Sequence, residues 1–150
     1  METKEEIANK FVNSFGEVLP GFKYGHKFAK EYSLKYYFDF IFLNLDGSTP
    51  KEPPIAGGVV GFTIDKYTGK IESLSFGDLG QLDAKEREIN EVYENLLSVK
   101  QGSGSLNWLK TKFNLDSKSL LEFKKIINQT DLDKNQIILQ LEKIKTNANT

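Results

Sequence analysis

The first sixteen residues place their apolar side chains with the period of a helix. Thr3 and Glu6 stand three residues apart ahead of the apolar positions, as in a capping box, and Gly16 is a natural stop. The apolar stripe consists of Ile7, Ala8, Phe11, Val12 and Phe15. We predict a first helix whose Phe-lined face packs on the segment that follows.

Residues 31–45 change to a period of two, which is typical of a strand. One face carries apolar side chains at Leu34, Tyr36, Phe38, Phe40 and Phe42. The other face begins with Lys35, Tyr37 and Asp39 and becomes apolar at Ile41, Leu43 and Leu45. A strand of this kind is half-exposed at its start and covered on both faces near its end.

Two further strands are predicted over residues 58–65 and 70–76, joined by a short turn. Gly69 supplies the positive φ that closes such a hairpin. The segment before the hairpin, residues 46–54, has a loop composition, and Pro53 and Pro54 stiffen its end.

The second half of the chain has helical patterns. Asp83 and Glu86 form a second capping box ahead of an apolar stripe, and residues 101–105 are a short flexible connection. The stripe consists of Ile89, Val92, Tyr93, Leu96 and Leu97. Three short helices follow, around Leu109, Phe123 and Leu141, and residues 146–150 are expected to fray.

The order of helix, strands and then helices predicts an α+β fold. We expect an antiparallel sheet of about three to five strands, with an N-terminal helix and several C-terminal helices packed on it. Residues 1–100 form the sheet domain and carry a net charge of −4, whereas residues 101–150 carry +3. The basic helical extension is predicted to dock on the mildly acidic sheet, giving a single domain overall.

Composition narrows the function classes. A net charge of −1 argues against general nucleic-acid binding, which needs clustered basic side chains. The absence of cysteine fits a reducing compartment, and the charged start does not resemble a signal peptide. No apolar run approaches the length of a membrane span. We therefore expect a cytoplasmic protein that binds neither nucleic acid nor membrane.

Nucleophilic catalysis has few candidate residues. The chain has no cysteine, its one histidine is His26, and no Gly-x-Ser-x-Gly turn exposes a serine. We interpret His26 as an exposed loop residue beside a strand start. Asp39 and Asp65 could face each other on neighbouring strands as an acid/base pair, but a solvated surface is the favoured interpretation. We expect no enzyme activity.

One segment resembles a calcium loop. Asp131, Asp133, Asn135 and Glu142 have the EF-hand spacing, but the sixth position, which needs Gly for a sharp turn, is Gln136. A helix capped by Thr130 or Asp131 explains the same residues, because Ile137, Ile138, Leu141 and Ile144 then form one buried stripe. We favour the helix start and predict neither a metal nor a cofactor.

An interaction surface is the remaining functional feature. Rigid aromatic side chains mixed with charge are typical of protein–protein hot spots. The candidate partner-binding residues are Tyr32, Lys35, Tyr37, Asp39, Lys66 and Tyr67. Equally, Tyr37 could pack beneath a C-terminal helix, and the sequence leaves both interpretations open.

The motifs of residues 35–40 (KYYFDF), 53–58 (PPIAGG) and 61–71 (GFTIDKYTGKI) resemble those of small immunity proteins of bacterial polymorphic toxin systems. The resemblance covers roughly residues 3–76, with the same order of helix, strand and Asp-x-x-Thr-Gly hairpin. It implies stoichiometric occlusion of a cognate toxin protein without turnover, and it carries over no binding residue.

Two further hypotheses remain open. The first is a ligand-binding or enzymatic domain of cystatin-like α+β build, with a pocket between the sheet and the first helix lined by Tyr36, Phe38 and Phe40. The second is a self-associating module that uses the basic helical extension.

Overall fold

The computed structural model describes residues 2–54 and 60–148. The chain divides into two compact units, Met1–Leu82 and Asp83–Thr150. Unit 1 contains a helix, a sheet and the first turns of a second helix, and unit 2 is helical. The predicted α+β class, with an N-terminal helix, an antiparallel sheet and several C-terminal helices, is confirmed. The division into residues 1–100 and 101–150 stays a prediction.

Unit 1 begins with α1 (Lys4–Asn13) and continues with a five-stranded antiparallel sheet. The strands lie side by side in chain order, so each one pairs with the next. They are β1 (Glu17–Leu19), β2 (Phe22–Glu31), β3 (Lys35–Asn44), β4 (Gly61–Asp65) and β5 (Ile71–Leu74).

The predicted capping box of α1 is confirmed. The Glu6 amide donates to Thr3 Oγ1 at 3.1 Å, and the Thr3 amide donates to Glu6 Oε2 at 3.2 Å. Two amide donors that the helix leaves unpaired at its N-terminus are thereby satisfied. The helix ends at Asn13, and Gly16 follows with a φ of 65°.

The main core of unit 1 lies between α1 and one face of the sheet. The predicted alternation of β3 is confirmed, because Phe38 is fully buried and its ring stacks on that of Phe62 with a centroid distance of 5.4 Å. From α1, the Phe11 ring lies 4.9 Å from that of Phe62. Ala8 and Val12 are buried beside these rings.

The opposite face of the sheet is covered near Tyr37 of β3 and Leu74 of β5 by the first turns of α2 (Phe76–Lys100). Tyr32, Tyr37 and Leu74 form a second buried cluster, against which Leu79 and Leu82 pack. Near the end of β3, where the sequence predicts that both faces are covered, the side chains are only partly buried. Ile41 and Leu43 are half-buried there, and Leu45 is exposed.

Strand β2 was not predicted, and the interpretation of His26 as a loop residue is wrong. His26 lies within β2 opposite Phe40 of β3. Its ring meets that of Phe38 edge-on at a centroid distance of 5.6 Å, and it is half-buried. The physical reason is that Phe22, Tyr24, His26 and Phe28 alternate onto the face that α1 covers.

The β4–β5 hairpin is confirmed, with Ile64 opposite Ile71 at its closed end. Gly69 has a φ of 74° in the turn, which a side chain would disfavour. The predicted start of the first hairpin strand, at residues 58 and 59, lies outside the described residues.

The predicted start of α2 is wrong. The helix begins at Phe76, so Asp83 and Glu86 lie inside it rather than at its N-terminus. The capping contacts are made eight residues earlier in the chain, by Ser75 and Asp78. The Asp78 amide donates to Ser75 Oγ at 3.1 Å, and the Ser75 amide donates to Asp78 Oδ2 at 3.0 Å.

Unit 2 continues after a connection at residues 101–105 with three helices, as predicted. They are α3 (Asn107–Phe113), α4 (Ser117–Ile127) and α5 (Lys134–Ala148). Leu109, Phe123 and Ile137 are each fully buried. Trp108 of α3 is 40% exposed, and the Lys112 ammonium lies 5.1 Å from its ring and 2.8 Å from Glu91 of α2.

One predicted detail of α5 needs correction. The helix begins at Lys134, and Asp133 rather than Thr130 or Asp131 caps it, because Asp133 Oδ1 accepts the Asn135 amide at 2.9 Å. The helix extends through Ala148, and the fraying of residues 146–150 stays a prediction. Among the described residues, no helix is long and apolar enough to cross a membrane.

Candidate functional site

A groove runs along one end of unit 1, between the N-terminal turn of α1 and the turn that joins β4 to β5. Its volume is about 780 Å³. We call it the tip groove. The α1 side contributes Glu2, Thr3, Lys4, Glu5 and Ile7, the floor Tyr36 and Ile64, and the hairpin side Asp65, Lys66, Tyr67, Thr68 and Gly69.

The hairpin side of the tip groove is held by Asp65. Its carboxylate accepts the amides of Tyr67 at 2.8 Å and Thr68 at 2.9 Å, while its carbonyl accepts the Gly69 amide at 3.0 Å. The hydrogen bonds to the carboxylate, the one from the Thr68 amide first, hold the pKa of the Asp65 carboxyl below its usual value. The turn is thus fixed by its own side chain before any partner arrives.

Two lysines flank the aromatic ring on the floor of the tip groove. The ammonium groups of Lys4 and Lys66 lie 5.2 Å and 5.1 Å from the centroid of the Tyr36 ring. Each lysine also has an acidic partner, Glu5 at 3.0 Å for Lys4 and Glu31 at 3.1 Å for Lys66. The groove therefore carries both positive and negative charges, and an ion pair holds each lysine in place.

Tyr67 supplies the exposed aromatic surface of the tip groove. Its side chain is 65% exposed, although its backbone amide is tied to Asp65. An aromatic ring on a fixed backbone loses little conformational entropy when it enters a partner's pocket. This combination is characteristic of an anchoring residue at a protein interface.

The six predicted partner-binding residues do not form one surface. Tyr32 and Tyr37 are only 2% and 5% exposed, and Tyr37 lies in the cluster that the start of α2 covers. This arrangement matches the alternative interpretation of Tyr37 as a packing residue. The binding role of the exposed members stays a prediction.

The remaining four predicted residues separate into two groups. Lys66 and Tyr67 belong to the tip groove. Lys35 lies on the opposite face of the sheet, 3.6 Å from Glu72, and Asp39 stands further along the same face of β3. Sequence reasoning missed Lys4 as a member of the groove, and it named Tyr36 only as a lining residue of a pocket between the sheet and the first helix. The helix start at Thr3 could be found from its capping box, but nothing in the pattern indicated which strand that start would face.

The acidic side chains in and near the tip groove are separated from one another or held by hydrogen bonds. Asp39 pairs with Gly61 and Asp65 with Lys35, so the two aspartates are not opposite each other, as the disfavoured acid/base alternative required. In the groove itself, hydrogen bonds lower the pKa of Glu5 as well as that of Asp65, which keeps both carboxylates ionised. Across the described ranges, no three acidic, histidine or cysteine side chains cluster as metal ligands would.

The aromatic side chains predicted to line a pocket between α1 and the sheet are packed against one another. The Phe40 ring lies 5.0 Å from Phe62 and 4.7 Å from Tyr24, and Phe15 closes over Tyr24 at 5.5 Å. These rings fill the space that a ligand would need at their positions. Tyr36 alone of the three predicted lining residues borders the tip groove.

Comparison with known proteins adds no relative. No protein-family model, no curated protein and no solved structure matches this chain at a significant level.

Proposed function

We propose that this chain is an immunity-type inhibitor, which binds a cognate toxin protein in fixed stoichiometry and blocks the toxin's active site. The observation that carries the proposal is the tip groove. Tyr67 projects from a turn fixed by Asp65, beside a groove whose floor ring, Tyr36, is flanked by positioned lysines. A preorganised aromatic and charged surface favours tight protein binding without turnover.

The chemistry of the groove supports binding rather than catalysis. Its lysines are paired with carboxylates, and the carboxyl groups of Glu5 and Asp65 have lowered pKa values. A general acid at neutral pH needs the opposite shift. The motif resemblance of residues 61–71 to the immunity proteins points to the same class of function.

The first test is capture of the partner. The tagged full chain is purified at native expression from its source cells, and the mass and stoichiometry of any complex are determined. We expect one partner protein in fixed ratio, whose expression alone stops growth and whose coexpression with this chain restores it. A chain that co-purifies with nothing, or whose partner is harmless when expressed alone, contradicts the proposal.

The second test locates the interface. In the tip groove, Tyr67→Ala removes the exposed ring and should weaken the partner's affinity by about thirtyfold or more, as expected for an aromatic hot spot worth about 2 kcal/mol. The matched control is Phe76→Ala, which removes an exposed ring at the start of α2 outside the groove. Equal affinities for both variants and the unmodified chain would place the interface elsewhere.

A further inference from the structure

A second groove lies in unit 2, between α2 and α3. We call it the α2–α3 groove, and its volume of about 740 Å³ is within the range of small-ligand sites. The α2 side chains that line it follow the first of them by three, four, seven and eight residues, so they form a row about 12 Å long on one face of the helix. The lining residues are Arg87, Asn90, Glu91, Glu94 and Asn95 of α2 and Trp108 of α3.

Several polar side chains of this groove have no partner within the part of the chain that the structure describes. Arg87, Asn90 and Glu94 are exposed and take part in no hydrogen bond or ion pair with the described residues. The side-chain carbonyl oxygen of Asn95 is buried there without a hydrogen-bond donor. Buried acceptors in folded proteins normally have a donor, so Asn95 has a hydrogen bond still to make.

Trp108 supplies an aromatic surface whose position is fixed. The ring is 40% exposed, and the Lys112 ammonium lies 5.1 Å from its centroid and 2.8 Å from the Glu91 carboxylate. One cation thus holds the indole of α3 against a carboxylate of α2. Lys112 does not itself line the groove, so the part of the ring that borders the groove stays accessible.

The charges of the groove favour a neutral ligand. Lys112 balances Glu91, and the remaining charges, on Arg87 and Glu94, are opposite in sign. An anion attracted to Arg87 would meet the carboxylates of Glu91 and Glu94, and a cation attracted to those carboxylates would meet Arg87. A ligand without net charge avoids both repulsions.

The shape of the polar groups narrows the class of ligand further. Each of the five polar lining residues ends in a planar group with two hydrogen-bonding positions, a guanidinium, a carboxylate or a carboxamide. Neighbouring hydroxyl groups of a sugar ring stand side by side, and each both donates and accepts. They can therefore pair twice with one such planar group. The C–H groups on a sugar face carry partial positive charge, which the face of an indole attracts.

We propose that the α2–α3 groove binds a neutral oligosaccharide, with one sugar ring against Trp108 and its hydroxyl groups paired with Arg87, Asn90 and Glu94. The row of α2 side chains is longer than a single sugar ring, which favours an oligosaccharide over a monosaccharide. The inference is separate from the proposed function, because the tip groove belongs to unit 1 and all six lining residues here belong to unit 2.

The test is a titration of the ¹⁵N-labelled full chain, followed by nuclear magnetic resonance. The neutral probes are maltotriose, cellotriose, mannotriose, galactotriose and triacetylchitotriose, and the charged counterparts are anionic trigalacturonate and cationic, deacetylated chitotriose. We expect at least one neutral trisaccharide to shift the Trp108 indole N–H signal and the amide signals of residues 87–95 saturably, with a Kd of about 1 mM or lower. The charged counterparts should bind about tenfold more weakly or not at all.

Variants of exposed residues locate the binding site without disturbing the fold. Asn90→Ala should weaken binding about fivefold or more, because a planar hydrogen-bonding group is lost. Arg87→Lys keeps the charge but loses the planar guanidinium, so it should weaken binding by a similar factor. The matched control is Asn135→Ala, which removes an exposed carboxamide of α5 outside the groove and should leave the Kd unchanged. Unchanged circular dichroism spectra check that each variant is folded.

Three results would overturn the inference, and none of them bears on the inhibitor proposal. The first is that no neutral trisaccharide shifts the Trp108 or α2 signals at about 10 mM. The second is that trigalacturonate binds more tightly than every neutral probe and Arg87→Lys keeps that affinity, which would make the groove an anion site. The third is equal affinity of the Asn90→Ala and Asn135→Ala variants, which would place the sugar elsewhere.

Discussion

Gly61 of β4 pairs with Asp39 of β3 and has no room for a side chain. A Cβ atom at this position would lie 2.2 Å from the Phe38 carbonyl oxygen and 2.8 Å from the ring and hydroxyl of Tyr37. Real Cβ atoms do not approach backbone so closely, so only glycine leaves room for Tyr37 in its buried cluster. The residue therefore fixes both the strand pairing and the burial of a predicted surface tyrosine.

Gly61→Ala should destabilise unit 1 by about 3 kcal/mol, because the added methyl group meets backbone that cannot move aside without breaking the β3–β4 ladder. Urea unfolding measures the change. The control is Gly80→Ala inside α2, where a Cβ would have open space and should stabilise the helix by up to about 1 kcal/mol. Similar midpoints for the two variants would contradict this role of Gly61.

Asp65→Ala should lower the free energy of unfolding by about 1–2 kcal/mol at neutral pH, because the amides of Tyr67 and Thr68 lose their acceptor. The pKa of Asp65 is lowered from its usual 3.8, so its contribution is present above that pH and is lost as the pH falls through the lower folded-state pKa. The stability difference between the variant and the unmodified chain should therefore shrink in acid. A difference that persists at about pH 2 would show that the carboxylate charge is not involved.

At the scale of elements, the predictable parts are those whose signal is local. The Thr3–Glu6 capping box, the alternation through Phe38 and the turn at Gly69 each depend on a few neighbouring residues. Strand β2 has an equally regular alternation, but Gly25 and several lysines occupy its second face and weaken the hydrophobic contrast. Pairing with β3 stabilises this strand, and residue propensities do not predict which strands pair.

The start of α2 shows a second limit of prediction. Ser75 and Asp78 have a capping spacing, yet Gly77 and Gly80 lower the helical propensity of the first turns. Packing of Leu79 over the Tyr37 cluster offsets that weakness.

The tip groove was only half predictable for a similar reason. Lys66 and Tyr67 lie in a recognisable turn, whereas Lys4 reaches Tyr36 through a tertiary contact.

Ser75→Ala should destabilise the start of α2 by about 1 kcal/mol, because the Asp78 amide loses its side-chain acceptor. Thermal or urea unfolding measures the loss. Ser75→Thr keeps the hydroxyl and should remain close to the unmodified chain. If the alanine variant is as stable as the threonine variant, the hydroxyl does not cap the helix.

At the scale of the whole molecule, the pKa shifts of the acidic and basic side chains favour the charged forms of both. Within the part of the chain that the structure describes, hydrogen bonds lower the pKa of the carboxyl groups of Glu5, Asp46, Asp65, Glu72, Asp78 and Asp116. Pairing with glutamates raises the pKa of Lys4 and Lys10. These groups gain favourable contacts in their charged forms on folding.

The stability of the chain should therefore be constant over a broad central pH range. Carboxyl groups with a lowered pKa stabilise the folded chain at pH values above their usual pKa, which is 4.5 for Glu5 and 3.8 for Asp65. This stabilisation is lost as the pH falls below those values. Lysines with a raised pKa stabilise the folded chain at pH values below their usual pKa of 10.5. This contribution disappears as the pH rises through their pKa values in the folded chain. Unfolding midpoints measured across pH should decline at both ends, and a maximum confined to acid would contradict the assignment.

The single tryptophan, Trp108, gives one of the two units its own optical signal. It lies in unit 2 beside the Lys112 ammonium, whereas five of the six tyrosines, all but Tyr93, belong to unit 1. Tryptophan emission should follow the unfolding of unit 2, and the near-ultraviolet tyrosine dichroism should follow mainly unit 1. Recorded together in one titration, coincident midpoints would mean that the chain melts as one cooperative block, and separate midpoints would give each unit a free energy of its own.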